Sequence, residues 1–213
     1  MYKRLSILAL AFSLALALGG SPVQANLIDN GSFENKDSIV VDPAKGYVTV
    51  GGTTIPDWTV FQGFVDYVEG LWTPQDGSHS LDVDGTVAGG IKQSFATIIG
   101  EVYQVSFWLA GNPSNQSADF LTKTLNVKVG IFDQDFIFNV QGKSSTNMGW
   151  IEQTFQFTAQ GSTSTLQFLS KTAGALGPAL DNVSVNQVPL PASWLLLASG
   201  LLGLPFLGRR KKY

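Results

Sequence analysis

Short alternating runs of apolar and polar residues dominate the middle of the chain, and helical periodicity is scarce there. The clearest run is Thr124 to Ile131, where Leu125, Val127, Val129 and Ile131 alternate with Asn126, Lys128 and Gly130. Tyr103, Val105, Phe107 and Leu109 alternate with Gln104, Ser106, Trp108 and Ala110, and Ile151, Phe155 and Phe157 with Glu152, Thr154, Gln156 and Thr158. A period of two puts one face of a strand on a core and the other toward solvent. Further strands are expected at Tyr47–Val50, Trp58–Val68, Ser80–Val83, Gly90–Ala96, Phe136–Val140, Ser164–Leu169 and Ala179–Val185. Turn signals such as Gly51-Gly52, Gly89-Gly90, Gly111 to Pro113 and Gly174 to Pro178 separate them. About ten short strands with this punctuation predict an all-β fold, a sandwich of the jelly-roll type, in one domain.

The two ends follow a different pattern. Lys3 and Arg4 precede an apolar run from Leu5 to Leu18, and Val23-Gln24-Ala25 offers small residues for a signal peptidase. That run is too short to span a bilayer comfortably, so residues 1–25 read as a signal peptide. Residues 26–187 are the expected β domain, and residues 188–213 a C-terminal tail. In the tail, Val188, Pro189, Leu190, Pro191 and Ala192 precede an apolar stretch from Trp194 to Gly208, closed by Arg209, Arg210, Lys211 and Lys212. Val188 to Gly208 is long enough for a transmembrane helix, and the basic stop belongs on the cytoplasmic side.

Charge separates along the same boundaries. The middle carries seven lysines, no arginine and all 16 acidic residues, a formal charge of −9. Phosphate neutralisation needs clustered Lys or Arg, so nucleic acid is excluded as a partner. Cysteine is absent, which removes thiol catalysis and Cys-based zinc sites. The single histidine, His79, limits triads and His-rich metal sites to one residue and reads as a polar loop position. A glycosidase pair needs two carboxylates about 5–10 Å apart, and Asp82 with Asp84, and Asp133 with Asp135, are spaced to share strand faces. Neither pair has further catalytic context, and the domain is read as non-enzymatic.

The tail resembles the C-terminal sorting signals processed by exosortases, in the variant with the motif VPLPA. That resemblance implies an exosortase-like membrane protease as partner, after signal peptidase. It implies an inner-membrane precursor and a cell-surface or extracellular product. The domain opening Asn26-Leu27-Ile28-Asp29-Asn30-Gly31-Ser32-Phe33-Glu34 resembles that of galactose-binding-like β-sandwiches. Asp76 to Val83, Gly90 to Phe95, Tyr103 to Pro113 and Leu180 to Val185 agree with it, and together they resemble the bacterial choice-of-anchor C family. The resemblance implies a domain carried on exchangeable surface anchors and supplies no ligand.

Related carbohydrate-binding sandwiches hold a structural Ca²⁺ between their first and last segments, and Glu34 and Asp181 match those positions in type. Asp181 shares strand parity with Val183 and Val185, which predicts a core-facing carboxylate in need of partners. Carbonyls from Asp76–Ser78 would complete a calcium site, and the alternative is a carboxylate capping backbone N–H groups. For sugar stacking, Trp108 is the first candidate, on an outward face with Gln104 and Ser106, and Trp72 the second; Trp58 and Trp150 are expected in the core. The expected function is an exported surface or matrix protein that binds polysaccharide. The alternative is a structural surface or biofilm component without a sugar site.

Overall fold

The computed structural model describes residues 25–189, and the expected signal peptide, transmembrane helix and basic stop lie outside them. Ten strands form: β1 (Tyr47–Gly52), β2 (Thr59–Val68), β3 (Ser80–Asp82), β4 (Gly90–Ala96), β5 (Val102–Gly111), β6 (Thr122–Val129), β7 (Phe132–Asn139), β8 (Ile151–Thr158), β9 (Thr163–Ser170) and β10 (Pro178–Gln187). A single 3₁₀ turn, Ala118–Phe120, interrupts them among the described residues. No helix in this region is long and apolar enough to cross a membrane.

The strands run in the order β7-β6-β9-β4-β2-β3-β10-β5-β8, with β1 added on β2. β2 is the strand at which this ribbon folds into two layers. Its first half, Thr59 to Gln62, pairs with β4, and its second half, Asp66 to Val68, pairs with β3. Between them Gly63 adopts φ +54°, and a β-carbon there would lie 2.6 Å from the Ala88 carbonyl. Glycine is the residue that permits both the left-handed backbone and the close approach.

Alternation along the strands fills the space between the layers. Phe107 on β5 meets Phe136 on β7 and Phe168 on β9 edge-on, at 5.1 and 5.2 Å between centroids. Leu125, Val127, Leu166, Leu180 and Val185 complete the buried set around them. Each fully buried side chain of this size contributes about 1.5–3 kcal/mol of transfer free energy, before entropy is counted. Trp58 is buried and its indole donates to the Asn30 carbonyl at 3.0 Å, so the position read as core is core.

The N-terminal segment closes the domain by lying along β10. Leu27 N donates to Val185 O at 2.9 Å, and Val183 N to Gly31 O at 2.8 Å. The first and last segments are therefore neighbours. At Asn30 the backbone turns with φ 50°, one of the conformations Asn tolerates.

Most strand limits shift by one or two residues, and two of the differences have a local physical reason. The run through Ile131 breaks at Val129, because Gly130 (φ +57°) and Ile131 form the two-residue turn of the β6–β7 hairpin. β7 then begins at Phe132 rather than Phe136, with Asp133 and Asp135 as its outward positions.

Candidate functional site

Asp181 corrects the parity argument. Leu180 faces Leu109 across the β10–β5 ladder, so Asp181, opposite Trp108, belongs to the outer face of the sheet. The ladder shifts between Asp181 and Ser184, and Asn182 takes φ 46°, which returns Val183 and Val185 to the core. Asp181 is nevertheless fully buried, because the segment after Trp72 lies over it. Its Oδ2 accepts from the Gln75 and Asp76 N–H groups at 2.8 and 3.0 Å, and Oδ1 from Asn182 N at 2.7 Å. Burial pushes this carboxyl up to about 7, against the N–H bonds that pull it down.

Glu34 holds the next stretch of the same segment. Oε1 accepts from the Ser78 and His79 N–H groups, both at 2.8 Å, and Oε2 lies 3.0 Å from His79 Nδ1. Burial works against ionisation here, but these donors hold the carboxyl below its ordinary value. His79 packs on Tyr67, whose hydroxyl donates to the Phe33 carbonyl.

A calcium ion here would need carbonyl oxygens from Asp76–Ser78. Peptide planes with N–H directed at a carboxylate direct the preceding C=O away, since no peptide is cis. The Gly77 and Ser78 carbonyls therefore point away from Glu34. All four carboxylate oxygens already accept bonds, and among the described residues no three His, Cys, Asp or Glu side chains converge as metal ligands. The arrangement is that of two carboxylates anchoring a loop through its backbone N–H groups.

The aromatic candidates separate. Trp72 is 4% exposed and its indole donates to Ser80 Oγ at 2.8 Å, so it is a core residue and no stacking platform. Trp108 is half-buried on the outer face of β5 with exposed Gln104 and with Ser106, in register with Glu152 and Asp181. Trp150 is half-buried and ties its indole to Thr73 O at 3.0 Å.

The outward acidic pair is engaged as well. Asp133 and Asp135 both accept from the Asn126 amide, at 2.9 and 2.8 Å, and pair with Lys128 and Lys171. Asp82 and Asp84 are buried. Asp82 accepts from Asn112 Nδ2 at 2.7 Å and from the Asp84 and Gly177 N–H groups at 3.0 Å. Burial raises Asp82 well above its ordinary value and pushes Asp84 up to about 6. Buried Lys123 donates to the Leu176 carbonyl at 2.6 Å beside them.

Directly over this buried group lies a cavity of about 440 Å³ that strand patterning does not reveal. Tyr47 and Thr49 of β1, Asp66 of β2, Asn112 and Ser114 after β5, and Leu176 before β10 line it. Thr49 Oγ1 donates to Asp66 Oδ1 at 2.5 Å, and Asp66 Oδ2 accepts no bond among the described residues. Burial raises the Asp66 carboxyl, and the Thr49 hydroxyl and Lys45 moderate the rise. Asn112 is held by Asp82 and by Ser114 N, and the Leu176 rim by Lys123. The buried charges thus position the cavity walls. A larger groove of about 540 Å³ runs between the β7 and β8 edges. Its rings are already covered: Phe132 stacks on Phe155 at 3.7 Å and Phe157 on Tyr103 at 5.5 Å.

A family model described as "Protein of unknown function (DUF642)" matches residues 26–186. The chain belongs to the DUF642 family. Residues 187–211 of this DUF642 protein match the PEP-CTERM protein-sorting motif, which marks an exported, membrane-anchored precursor directed to the cell surface. Halomucin of Haloquadratum walsbyi is 30% identical over 184 residues, covering 84% of this chain and 2% of halomucin. The chain therefore spans a small fraction of the curated relative it matches. Among solved structures, an arabinose-bound α-L-arabinofuranosidase is similar over 81% of this chain and 28% of its own, at 13% identity and TM-score 0.51. A family 16 carbohydrate-binding module is similar over 75% of this chain and 99% of its own, at 18% identity and TM-score 0.46. At 13% identity the likeness to the arabinofuranosidase is one of fold.

Proposed function

We propose that this exported surface protein binds polysaccharide, and that the cavity beside Asp66 receives the sugar. The observation that carries the reading is a concave site with few, fixed polar groups. Asp66 Oδ2 is free to accept hydroxyls, Ser114 and Asn112 stand beside it, and Tyr47 supplies a partly exposed ring. Sites of this character, mostly shaped by packing and oriented by a few polar groups, suit small polar ligands. Trp108, half-buried, and Gln104, exposed farther along the same outer face of β5, remain the second reading. Kinship with the choice-of-anchor C group and exosortase-type cleavage within Val188–Ala192 belong to the same proposal.

The test is a glycan array probed with the mature protein, followed by titration calorimetry on any hit. Asp66→Asn keeps an acceptor for Thr49 but removes the free carboxylate oxygen. A loss of about tenfold or more in affinity is expected, the effect of one charge-assisted bond of about 1.5–3 kcal/mol. Binding abolished by Trp108→Ala and untouched by Asp66→Asn would move the site to the sheet face. No binding to any glycan leaves the structural-component reading.

A further inference from the structure

The opposite end of the sandwich carries a second feature, independent of the sugar reading. β10 ends at Gln187, and Val188 N donates to Val102 O at 2.8 Å, so the chain leaves the domain beside the first residue of β5. Four residues lie between Pro189 and Trp194, where the apolar stretch begins, so five Cα–Cα steps join them. Fully extended, they span at most about 17 Å. This end of the domain is therefore the one tethered near the bilayer in the precursor.

Three large apolar side chains stand exposed there. Ile98 is 60%, Ile99 68% and Ile131 81% exposed. Ile98 shares a hollow with Gln187, at the end of β10, and Ile131 lines the β7–β8 groove together with Val102. Strand register agrees: Ala96 pairs with Thr163 and Lys128 with Gln167 on β9, which brings the β4–β5 and β6–β7 turns to one end.

Neither turn is loose. Thr97 N donates to Ser162 O, Ile98 N to the Tyr103 hydroxyl at 2.9 Å, Gly100 N to Ala159 O and Glu101 N to Ile98 O. Gly130 and Ile131 form a two-residue hairpin turn. Both turns hold their isoleucines out in water. Single exposed apolar residues are ordinary on a protein surface. Three on rigid tips around the exit of a membrane-directed tail are a different case.

We infer that Ile98, Ile99 and Ile131 form a lipid-facing tip that seats the β-sandwich on the bilayer surface while the tail is uncut. Shallow insertion of apolar side chains from ordered loops needs no spanning element, since buried apolar area alone drives interfacial binding. The domain's formal charge of −9 makes anionic headgroups poor partners, so the surface it fits is zwitterionic. Seating would also fix the distance of Val188–Ala192 from the membrane plane.

The chain has no cysteine, which allows single-site labelling of the full-length protein. Ile99→Cys, Ile131→Cys and, at the opposite end, Val87→Cys would carry an environment-sensitive fluorophore in phosphatidylcholine vesicles containing a nitroxide-labelled lipid. Val87 is 54% exposed and serves as the distal comparison. Quenching about fivefold stronger at positions 99 and 131 than at 87 is expected. Equal quenching at the three positions, or none at 99 and 131, overturns the inference. Because the labels sit on exposed side chains, thermal melts of the variants should coincide with the parent. In the Ile99→Cys protein, adding Ile98→Ser and Ile131→Ser should cut the quenching by more than half. An unchanged signal would place the contact elsewhere.

Discussion

Raising the pH from 5 to 8 should destabilise the domain, and the sign follows from its buried carboxyls. Asp181 ionises near about 7 and Asp84 near about 6 in the fold, both chiefly because burial penalises the charge, against 3.8 for an ordinary aspartate. A group whose folded value is raised contributes stability that is fully present below its unfolded value and is lost as pH rises through the folded one. The window for these two therefore runs from about 4 to about 7. Glu34, Glu69, Asp133 and Asp135 are held below their ordinary values, so their contribution is lost only at more acidic pH. Buried Asp82 and Asp66 are raised and act in the same direction as Asp181.

Between pH 5 and 8 the linkage relation gives about 2.5 kcal/mol for Asp181 and about 1.5 kcal/mol for Asp84. Protein relaxation and water penetration reduce such values, so about half is the working expectation. For a domain of this size each kcal/mol moves Tm by about 2–4 °C, which places the fall at about 4–8 °C. Differential scanning calorimetry across a pH series reads it directly. Asp181→Asn and Asp84→Asn should each flatten the curve by its own share. A Tm that is constant or rises from pH 5 to 8 would refute the assignment of these carboxyls as groups whose burial outweighs their hydrogen bonds.

Two further substitutions probe the scaffold and the anchored loop. Gly63→Ala puts a β-carbon against the Ala88 carbonyl in a left-handed backbone and should cost about 2–4 kcal/mol in urea unfolding; a loss below about 0.5 kcal/mol would mean that β2 does not depend on this kink. With every oxygen of Glu34 and Asp181 accepting a bond, Tm in EDTA and in excess calcium should differ by less than about 2 °C. A larger rise with calcium, abolished in Asp181→Asn, would show that the loop can turn its carbonyls inward.

Strand positions were legible because a two-layer fold forces alternation, and Gly90–Ala96 appears with the expected limits. Parity fails where the backbone breaks it. The bulge at Asn182 moves Asp181 to the outer face, and the turn at Gly130 ends a run whose alternation continues through Ile131. Trp72 could not be placed from its polar neighbours, since its burial comes from a segment laid across the sheet rather than from a strand. The cavity beside Asp66 was illegible for a related reason. Its walls come from five separated segments, and only the β2–β3–β10 pairing brings Asp66, Asp82 and the Leu176 rim together. The one local hint, a carboxylate inside the apolar strand Thr59–Val68, marks a position without its partners.

The topology also assigns the two ends of the molecule different tasks. β10 runs from Pro178, next to the Leu176 rim, to Gln187, next to the exit at Val102, and its ten residues span about 30 Å. A tail that follows β10 must leave at the end away from the cavity. The loops that wall the cavity, after β3, after β5 and before β10, all lie at the far end, where they can vary without disturbing the exit. Lys123, Asp82 and Asn112 stiffen those walls from below, while the exit end is closed by backbone pairing of Leu27 and Val188. On the proposed reading the cavity faces away from the membrane, and that polarity follows from which way the last strand runs.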